Sequence, residues 1–353
     1  MQTVCINTLY YFFPFCNEKS NIFFLIVDKY LPTNIAAIAA DNEHWVPYCE
    51  KAYAKRYRTY DAITGGWGCW GLTDLTGGIA IKTEIHWKAR GIHELYAWLY
   101  DNQSELLITS GISGGDGGAG GEVLQENGLY EGHEYSLLKL EVVKTDDGMV
   151  VQLLQIRNPW GKGEFNGDWS DYSDKWDTIP AEKREKLNVQ REDGAFWMCY
   201  KDWVNMFSSF DVCLLPSQFD EKKRGPRFED ESGLRGKFAD DPKIKLKIVV
   251  TQKRNVYIQC LLDCGIAAAK AEQFICINLK DQNEEMVIPR LPNDFKPNTY
   301  SNYSHNGYLF NLDVGEYTLV VNSYLLSAGG PSCNPGTRWF VRTVGKGVTL
   351  QRM

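Results

Sequence analysis

The chain has 353 residues, of which 44% are hydrophobic and 24% are charged, with a formal net charge of −7 and a pI near 5.4. This composition excludes wholesale disorder, and the length exceeds one ordinary compact core, so two domains are expected. The acidic balance provides no basic surface to neutralise phosphates, which argues against nucleic acid as a partner.

The cysteines and the N-terminus indicate the compartment. Ten cysteines are spread through the chain without a CxxC pair or a framework spacing, which predicts free thiols in a reducing cytoplasm. Cys260 and Cys264 lack a second Cys or His pair nearby, so zinc is not expected. The segment 1–21 has an apolar patch but no basic n-region, and it is too short to span a bilayer. A non-secreted chain without a strong membrane signal is therefore predicted.

The first predicted elements alternate strands and helices. IFFLIVDKYLPT has the composition of a buried strand, and EHWVPYCEKAYAKRYRTYDAI has apolar residues at helical spacing. LTDLTGG predicts a turn or short helix before the strand IAIKTEI, and KARGIHELYAWLYDNQ predicts a helix. The glycine-rich stretch 110–122 lacks the Lys-Ser/Thr context of a phosphate loop, so a mobile loop is expected.

A β-hairpin is predicted next. The chain alternates as a strand from His133, turns at Thr145-Asp146-Asp147-Gly148 and returns as MVVQLLQIRN. His133 starts one strand and Asn158 follows the other, so both are expected at the end away from the turn. Folding the hairpin would bring the two side chains together.

The paired His and Asn suit the chemistry of a cysteine protease. There a histidine takes the thiol proton, and an asparagine oxygen orients the imidazole and fixes its tautomer. Trp160 would shield the His133–Asn158 hydrogen bond from water. The alternatives are a structural histidine in a strand and an ordinary core tryptophan.

The C-terminal part predicts an all-β domain. GAFWMCYKDWVNMFSSFDVCLLP packs aromatic residues densely and closes the first domain, and 218–242 is a charged linker candidate. Within 243–353, six short alternating segments separated by turns predict an antiparallel sandwich. No EF-hand loop occurs in the sequence.

Two sequence motifs carry a family resemblance. GLYEGHEYSLLKL followed by LLQIRNPWGKGEFNGDWSD resembles the second catalytic subdomain of calpains, the calcium-dependent, papain-like cysteine proteases. The resemblance runs from about Ile22 to Pro216, and NGYLFNLDVGEYTLVVNSYLLSAGG is similar to the calpain-type β-sandwich. It implies an α+β fold, with a papain-like catalytic subdomain over 22–217 and the sandwich over 243–353, after an unmatched leader at 1–21. It also implies proteins or peptides as substrates and no organic cofactor.

The nucleophile expected from this resemblance is missing. Calpains carry it in an earlier subdomain, in a Q-x-x-x-G-x-C-W word that does not occur here. Cys69-Trp70 lies where the family has only a connection, without a helix start or an oxyanion glutamine, so Cys69 is not expected to be the nucleophile. Cys5 and Cys16 also lack that context. The chain alone is therefore predicted to be inactive.

The resemblance further implies a calcium site. The calpain positions for carboxylate ligands in this subdomain are occupied here by Glu164, Asp171 and Asp193, whose hard oxygens suit calcium. A further acidic ligand of the family is replaced by Ala195, which predicts a weakened site. The alternative is that these acids belong to a solvated loop.

The sequence leaves three functions open, the third being a membrane or lipid docking role for the sandwich that rests on the fold type alone. In the first, the chain is part of a calpain-like, calcium-dependent cysteine endopeptidase, with His133 as base and Asn158 as its orienting partner. In the second, it is a non-enzymatic, calpain-derived protein that binds partners or regulates relatives, and the two residues are inherited packing.

Overall fold

A computed structural model of the protein describes residues 10–16, 22–28, 45–85, 88, 91–114, 121–220, 225–263, 273–292, 305–325, 333 and 336–353. The chain divides into two compact units. The first unit contains residues 1–79, 215–289 and 296–353, and the second contains residues 80–214 and 290–295.

The N-terminal part of the first unit contains a strand pair and two helices: β1 (Tyr10–Cys16), β2 (Ile22–Asp28), α1 (Trp45–Arg56) and α2 (Gly68–Thr76). A short 3₁₀ helix over Asp61–Ile63 lies between the helices. The buried Asp74 of α2 accepts hydrogen bonds from the Arg56 guanidinium at 2.7 and 2.9 Å and from the Tyr57 hydroxyl at 2.6 Å. This charge-assisted network joins the two helices.

The second unit is built on a six-stranded sheet with the order β3-β10-β4-β7-β8-β9. Its strands are β3 (Ile79–Glu84), β4 (Leu106–Ile112), β7 (His133–Lys144), β8 (Val150–Arg157), β9 (Ala195–Cys199) and β10 (Ser209–Leu214). A separate two-residue ladder pairs β5 (Val123–Leu124) with β6 (Tyr130–Glu131). The helices of this unit are α3 (Ile92–Asn102), α4 (Ala181–Leu187) and α5 (Tyr200–Met206), with a 3₁₀ helix over Asp174–Thr178.

The predicted hairpin is confirmed as β7 and β8, which pair antiparallel from Ser136↔Arg157 to Lys144↔Val150. Gly148 in the turn has φ +91, a conformation that glycine adopts without strain. A register shift between Leu137 and Lys139 leaves Leu138 exposed. The pairing carries His133 and Asn158 to the same end of the hairpin, as predicted.

The core of the second unit is rich in aromatic side chains. The inner face of α3 buries residues at helical spacing, and the hydroxyl of its Tyr96 donates to the Glu141 carbonyl at 2.6 Å. A separate cluster is formed by Val143, Leu153, Trp169, Trp176, Ile179, Leu187 and Trp197. The Tyr96 hydrogen bond therefore holds β7 against α3. The cluster holds the hairpin against the loop and helices that follow it.

The sandwich occupies the rest of the first unit. A four-stranded sheet has the order β13-β20-β15-β18, and a five-stranded sheet has the order β17-β16-β19-β14-β21. The strands are β13 (Glu231–Lys237), β14 (Lys243–Val250), β15 (Arg254–Asp263), β16 (Gln273–Lys280), β17 (Met286–Val287), β18 (His305–Leu312), β19 (Gly315–Leu325), β20 (Arg338–Val344) and β21 (Val348–Arg352).

The alternating sequence explains the sandwich. In β14, Leu246, Ile248 and Val250 are buried, whereas Lys243 and Lys245 are exposed and Lys247 is partly exposed. The stretch 218–242, predicted as a linker, contains β11 (Gln218–Asp220), β12 (Gly225–Arg227) and β13. Its charged residues are accommodated because β13 alternates half-buried and exposed positions while pairing along β20.

Residues up to Ile79, predicted to belong to the catalytic subdomain, cluster with the sandwich. The buried Arg342 of β20 donates from Nη2 to the carbonyls of Gly77 and Gly78 at 2.8 and 2.9 Å, and from Nε to Gln259 at 2.8 Å. Gly77 is the left-handed cap of α2, so one buried guanidinium satisfies carbonyls at the end of that helix.

The fold class predicted from the sequence, α+β with a predominance of antiparallel strands, is confirmed. In the part of the chain that the structure describes, no helix has the length and apolarity needed to cross a membrane.

Candidate functional site

The two predicted site residues on the hairpin are in direct contact. His133 Nε2 lies 2.9 Å from Asn158 Oδ1, and both residues are buried. His133 is the first residue of β7 and pairs with Ile112 of β4, whereas Asn158 directly follows β8. The sheet register therefore positions the imidazole and the carboxamide side by side.

The orientation of the Asn158 carboxamide is fixed by its other contacts. Its Oδ1 accepts from the Trp160 backbone N–H at 3.1 Å, and its Nδ2 donates to the Gly163 carbonyl at 3.1 Å. Its backbone N–H donates to the Gly194 carbonyl at 2.8 Å. Because these partners hold the oxygen toward the imidazole, the contact assigns a proton to Nε2 of His133.

Aromatic rings surround the imidazole. The centroid distances from His133 are 4.6 Å to Trp160, 4.9 Å to Tyr135 and 6.0 Å to Tyr130. Trp160 is 43% exposed, so it is a surface residue that covers the His133–Asn158 pair and not an ordinary core tryptophan. Rings at these distances exclude water and lower the local dielectric constant, which strengthens the hydrogen bond.

Sequence reasoning missed a third member of this site, Glu122. Its Oε1 lies 2.7 Å from Nδ1 of His133, with side-chain exposures of 39% and 6% respectively. Glu122 ends the glycine-rich stretch that the sequence predicted to be a mobile loop, and residues 115–120 of that stretch lie outside the described residues. An acidic residue just before the β5–β6 ladder was the available signal, but no local motif ties it to His133.

Cys69 differs from expectation in one respect. It is the second residue of α2, so a helix start does accompany it, because Trp67 is an extended N-cap and Gly68 begins the helix. The thiol is buried, and its proximity contributes to the raised pKa of the Tyr53 hydroxyl, which burial raises most. Cys69 belongs to the first unit and His133 to the second.

Three further thiols in the described part of the chain lack the properties of a nucleophile. Burial raises the pKa of Cys199 to about 11, and burial also raises the pKa of Cys49 and Cys260. A raised pKa keeps the thiol protonated, whereas nucleophilic cysteines need a thiolate. Cys264, the partner considered for a zinc site, lies outside the described residues.

The predicted calcium ligands lie in and near an acidic loop, defined here as residues 162–174. This loop lines a cavity of about 800 Å³. Glu164 Oε1 accepts from the Gly194 and Asp193 backbone N–H groups at 2.8 and 3.2 Å, and Asp171 Oδ2 accepts from the Arg191 N–H at 3.0 Å. Backbone donors thus take up carboxylate oxygens that a cation would use.

The carboxylates still influence one another. Burial raises the pKa of Glu164, the Gly194 N–H opposes this, and Asp171 and Asp193 raise it further. Burial likewise raises the pKa of Asp171, with an additional contribution from Asp193. Across the described part of the chain, however, no three or more His, Cys, Asp or Glu side chains are arranged to hold a metal ion. The ligand chemistry suits calcium, but the arrangement does not form a coordination site.

Comparison with known proteins places this chain in a family. A family model described as calpain family cysteine protease matches residues 8–214, more than half of the chain, starting inside the predicted leader 1–21. The human calpain-2 catalytic subunit is 34% identical over 196 residues, which is 54% of this chain and 27% of the relative. The calpain-1 catalytic subunit of Rattus norvegicus is 33% identical over the same shares. Calpain-12 of Mus musculus is 35% identical over 175 residues, 49% of this chain and 23% of the relative.

The chain spans about a quarter of the length of these curated relatives. Among solved structures, the infectious bursal disease virus VP2 subviral particle covers 78% of this chain and 75% of its own at 11% identity, but the TM-score of 0.18 carries no argument. The family match stands on the sequence comparisons. On that basis, the chain belongs to the calpain family of cysteine proteases.

Proposed function

We propose that this chain supplies the histidine and asparagine half of a cysteine endopeptidase centre that cleaves proteins or peptides. The observation that carries the proposal is the 2.9 Å contact between His133 Nε2 and Asn158 Oδ1 in a buried, aromatic-lined position. With Nε2 committed to Asn158, Nδ1 is the nitrogen that takes the proton of a nucleophilic thiol and returns it to the leaving amine.

Each neighbour of His133 has a role in this proposal. Asn158 fixes the tautomer and the ring orientation, since its own oxygen is held by the Trp160 N–H. The Trp160 ring shields the pair from water. The substrates are proteins or peptides, as the family membership supports.

The nucleophile and the oxyanion glutamine are not among these 353 residues in this proposal. Cys69 is buried and has no adjacent glutamine, and the described thiols with resolved shifts are held in the protonated form. Loss of one oxyanion donor alone costs about 3 to 4 kcal/mol of transition-state stabilisation. The chain by itself is expected to leave peptides uncut.

A fusion experiment tests the proposal. The chain is joined behind the cysteine-bearing subdomain of a calpain, and thiol-dependent casein cleavage is compared with that of the 353-residue chain alone. We expect activity only in the fusion, and its loss in His133→Ala. A fusion that is folded, as judged by circular dichroism, and yet inactive would contradict the proposal.

The isolated chain provides the second arm of this test. We expect no thiol-dependent cleavage of casein with or without calcium. If the isolated chain cleaves casein and Cys69→Ser abolishes the cleavage, Cys69 is the nucleophile and the half-site assignment is wrong.

We also propose that calcium binds weakly at Glu164, Asp171 and Asp193. Binding requires Glu164 to exchange its backbone partners for the ion, since the present arrangement is not a coordination site. Ala195→Asp, which adds the absent carboxylate, is expected to increase the stabilisation by calcium in thermal unfolding. If calcium stabilises Ala195→Asp no more than the wild type, the alanine at position 195 is not the reason for weak binding.

We place the protein in the cytoplasm. The support is that, among the described residues, Cys49, Cys199, Cys260 and Cys333 are free thiols. Fractionation of cells that express a tagged chain tests this assignment.

A further inference from the structure

Both ring nitrogens of His133 face hydrogen-bond acceptors. Asn158 Oδ1 is held toward Nε2 by its contacts with the Trp160 N–H and, through Nδ2, with the Gly163 carbonyl. Glu122 Oε1 lies 2.7 Å from Nδ1, a distance typical of a charge-assisted hydrogen bond. Since an ionised carboxylate only accepts, both contacts are satisfied together only when both nitrogens carry protons.

We propose that Glu122 is the internal counter-ion of His133, a carboxylate that occupies the Nδ1 position which a nucleophilic thiolate must use. The inference rests on the proposed function of His133. In a thiolate–imidazolium pair the anion lies at this nitrogen, and here a carboxylate supplies the same charge at the same atom. Glu122 is thus a positioning residue that holds the ring charged and aligned on Asn158 without a thiol.

The backbone around Glu122 is built for this contact. Glu122 precedes the β5–β6 ladder, in which Val123 pairs with Glu131, so it lies across from Gly132. Gly132 has φ +70, and a Cβ there would lie 3.9 Å from the Glu122 Cα. A glycine next to His133 thus provides the turn that brings the glutamate alongside the imidazole.

A second carboxylate near His133 does not compete for this role. Glu134 follows His133 in β7, so its side chain points to the opposite face of the sheet. Burial raises the pKa of Glu134, while Thr109, Lys82 and His133 lower it in part. Glu122, in contrast, is partly exposed and ready to be rehydrated when a thiol displaces it.

This arrangement predicts competition at one atom. A cysteine brought to the site from outside these residues reaches Nδ1 only by displacing Glu122. Once the carboxylate has left, Nδ1 gives its proton to solvent and can then accept the proton of the thiol. Before that, the carboxylate keeps the His133 ring in the alignment that a thiolate requires. Glu122 thus keeps the His133–Asn158 pair aligned, and it also keeps a thiol away from Nδ1 until the carboxylate is displaced.

The test is nitrogen NMR of the full chain labelled with ¹⁵N-histidine, near neutral pH and at low salt. We expect the doubly protonated ring of His133 to be roughly threefold more populated in the wild type than in Glu122→Gln, because neutralising the acid removes the counter-ion. Glu122→Asp should restore part of the doubly protonated signal. The matched control is Glu126→Gln, an exposed acid in the turn that joins β5 to β6, which should match the wild type.

The outcomes separate the two proposals. If Nε2 keeps its proton but Nδ1 is bare in the wild type, or if Glu122→Gln matches Glu126→Gln, the Glu122 inference is wrong and the His133–Asn158 pair stands. If Nε2 itself is unprotonated in the wild type, the pair and the proposed function fail. Since Glu122 is partly exposed, the folded state of each variant is checked by its unfolding midpoint.

Discussion

The His133–Asn158 pair and the acidic loop show two ways in which polar side chains reach one place. His133 and Asn158 are held at strand ends by the register of a six-stranded sheet, and their 2.9 Å contact is in place. Glu164 and Asp171 lie in a loop, where backbone N–H groups have taken their oxygens. A sheet sets side-chain positions in advance, whereas a loop satisfies its charges with whichever donors are near.

Gly194 connects the two regions. Its carbonyl accepts from the Asn158 N–H at 2.8 Å, and its N–H donates to Glu164 Oε1 at 2.8 Å. A substitution of Gly194 therefore affects both regions. Substitutions of Asn158 or of Glu164 affect one region at a time.

The largest effect is expected for Gly194→Ala. Gly194 has φ +81, and a Cβ would lie 2.8 Å from the Asn158 carbonyl oxygen and 2.9 Å from the Lys162 nitrogen. Left-handed strain plus a backbone clash should cost about 4 kcal/mol in urea unfolding. The control is Gly91→Ala, with φ +71 and open space, which should cost about 1 kcal/mol. Equal losses of unfolding free energy in the two variants would contradict a backbone clash at Gly194.

Asn158→Ala should have the next largest effect. It leaves the His133 ring, the Trp160 N–H and the Gly163 carbonyl without their partner in a buried site, at a cost of roughly 3 kcal/mol in urea unfolding. Asn166→Ala, which removes an exposed bond to the Glu126 carbonyl, should cost at most about 1 kcal/mol. A similar loss in the two variants would argue against a pre-organised pair.

Trp160→Ala should have a smaller effect on stability. The centroid of its ring lies 4.7 Å from that of Tyr130 and 4.6 Å from that of His133. Loss of the ring should therefore lower the free energy of unfolding by about 1.5 kcal/mol and shift the His133 ring resonances. Tyr172→Ala, on the acidic loop and 77% exposed, should stay within about 0.5 kcal/mol. Unchanged His133 resonances in Trp160→Ala would show that the ring does not cover the pair.

The smallest effect concerns pH. Because the folded state raises the pKa of Glu164, mainly by burial, folding disfavours its ionised form, and stability without metal should fall as pH rises from the unfolded pKa through the folded one. Glu164→Gln should remove this part of the pH dependence, as measured by urea midpoints in the presence of a chelator. Glu192→Gln, an exposed acid lining the same cavity, serves as the control. If the two variants follow the same pH profile, folding does not raise the pKa of Glu164.

Local patterns predicted the regular elements well. Alternation and the Thr-Asp-Asp-Gly turn predicted the β7–β8 hairpin, and hence the shared end at which His133 and Asn158 meet. Alternation also predicted the sandwich strands, because a period of two follows from strand geometry alone. The polar composition of 218–242 concealed β13, since a strand that alternates half-buried and exposed positions tolerates charged residues.

The sequence by itself determined the hairpin, the sandwich and the pairing of one histidine with one asparagine, because each depends on periodicity or on strand ends close along the chain. Only the tertiary structure decided that Glu122 reaches Nδ1 of His133, that Arg342 ties the end of α2 to the sandwich, and that backbone groups take the carboxylates of the acidic loop. These contacts depend on how ladders and loops pack in space, and a pattern of residues along the chain carries no such distance.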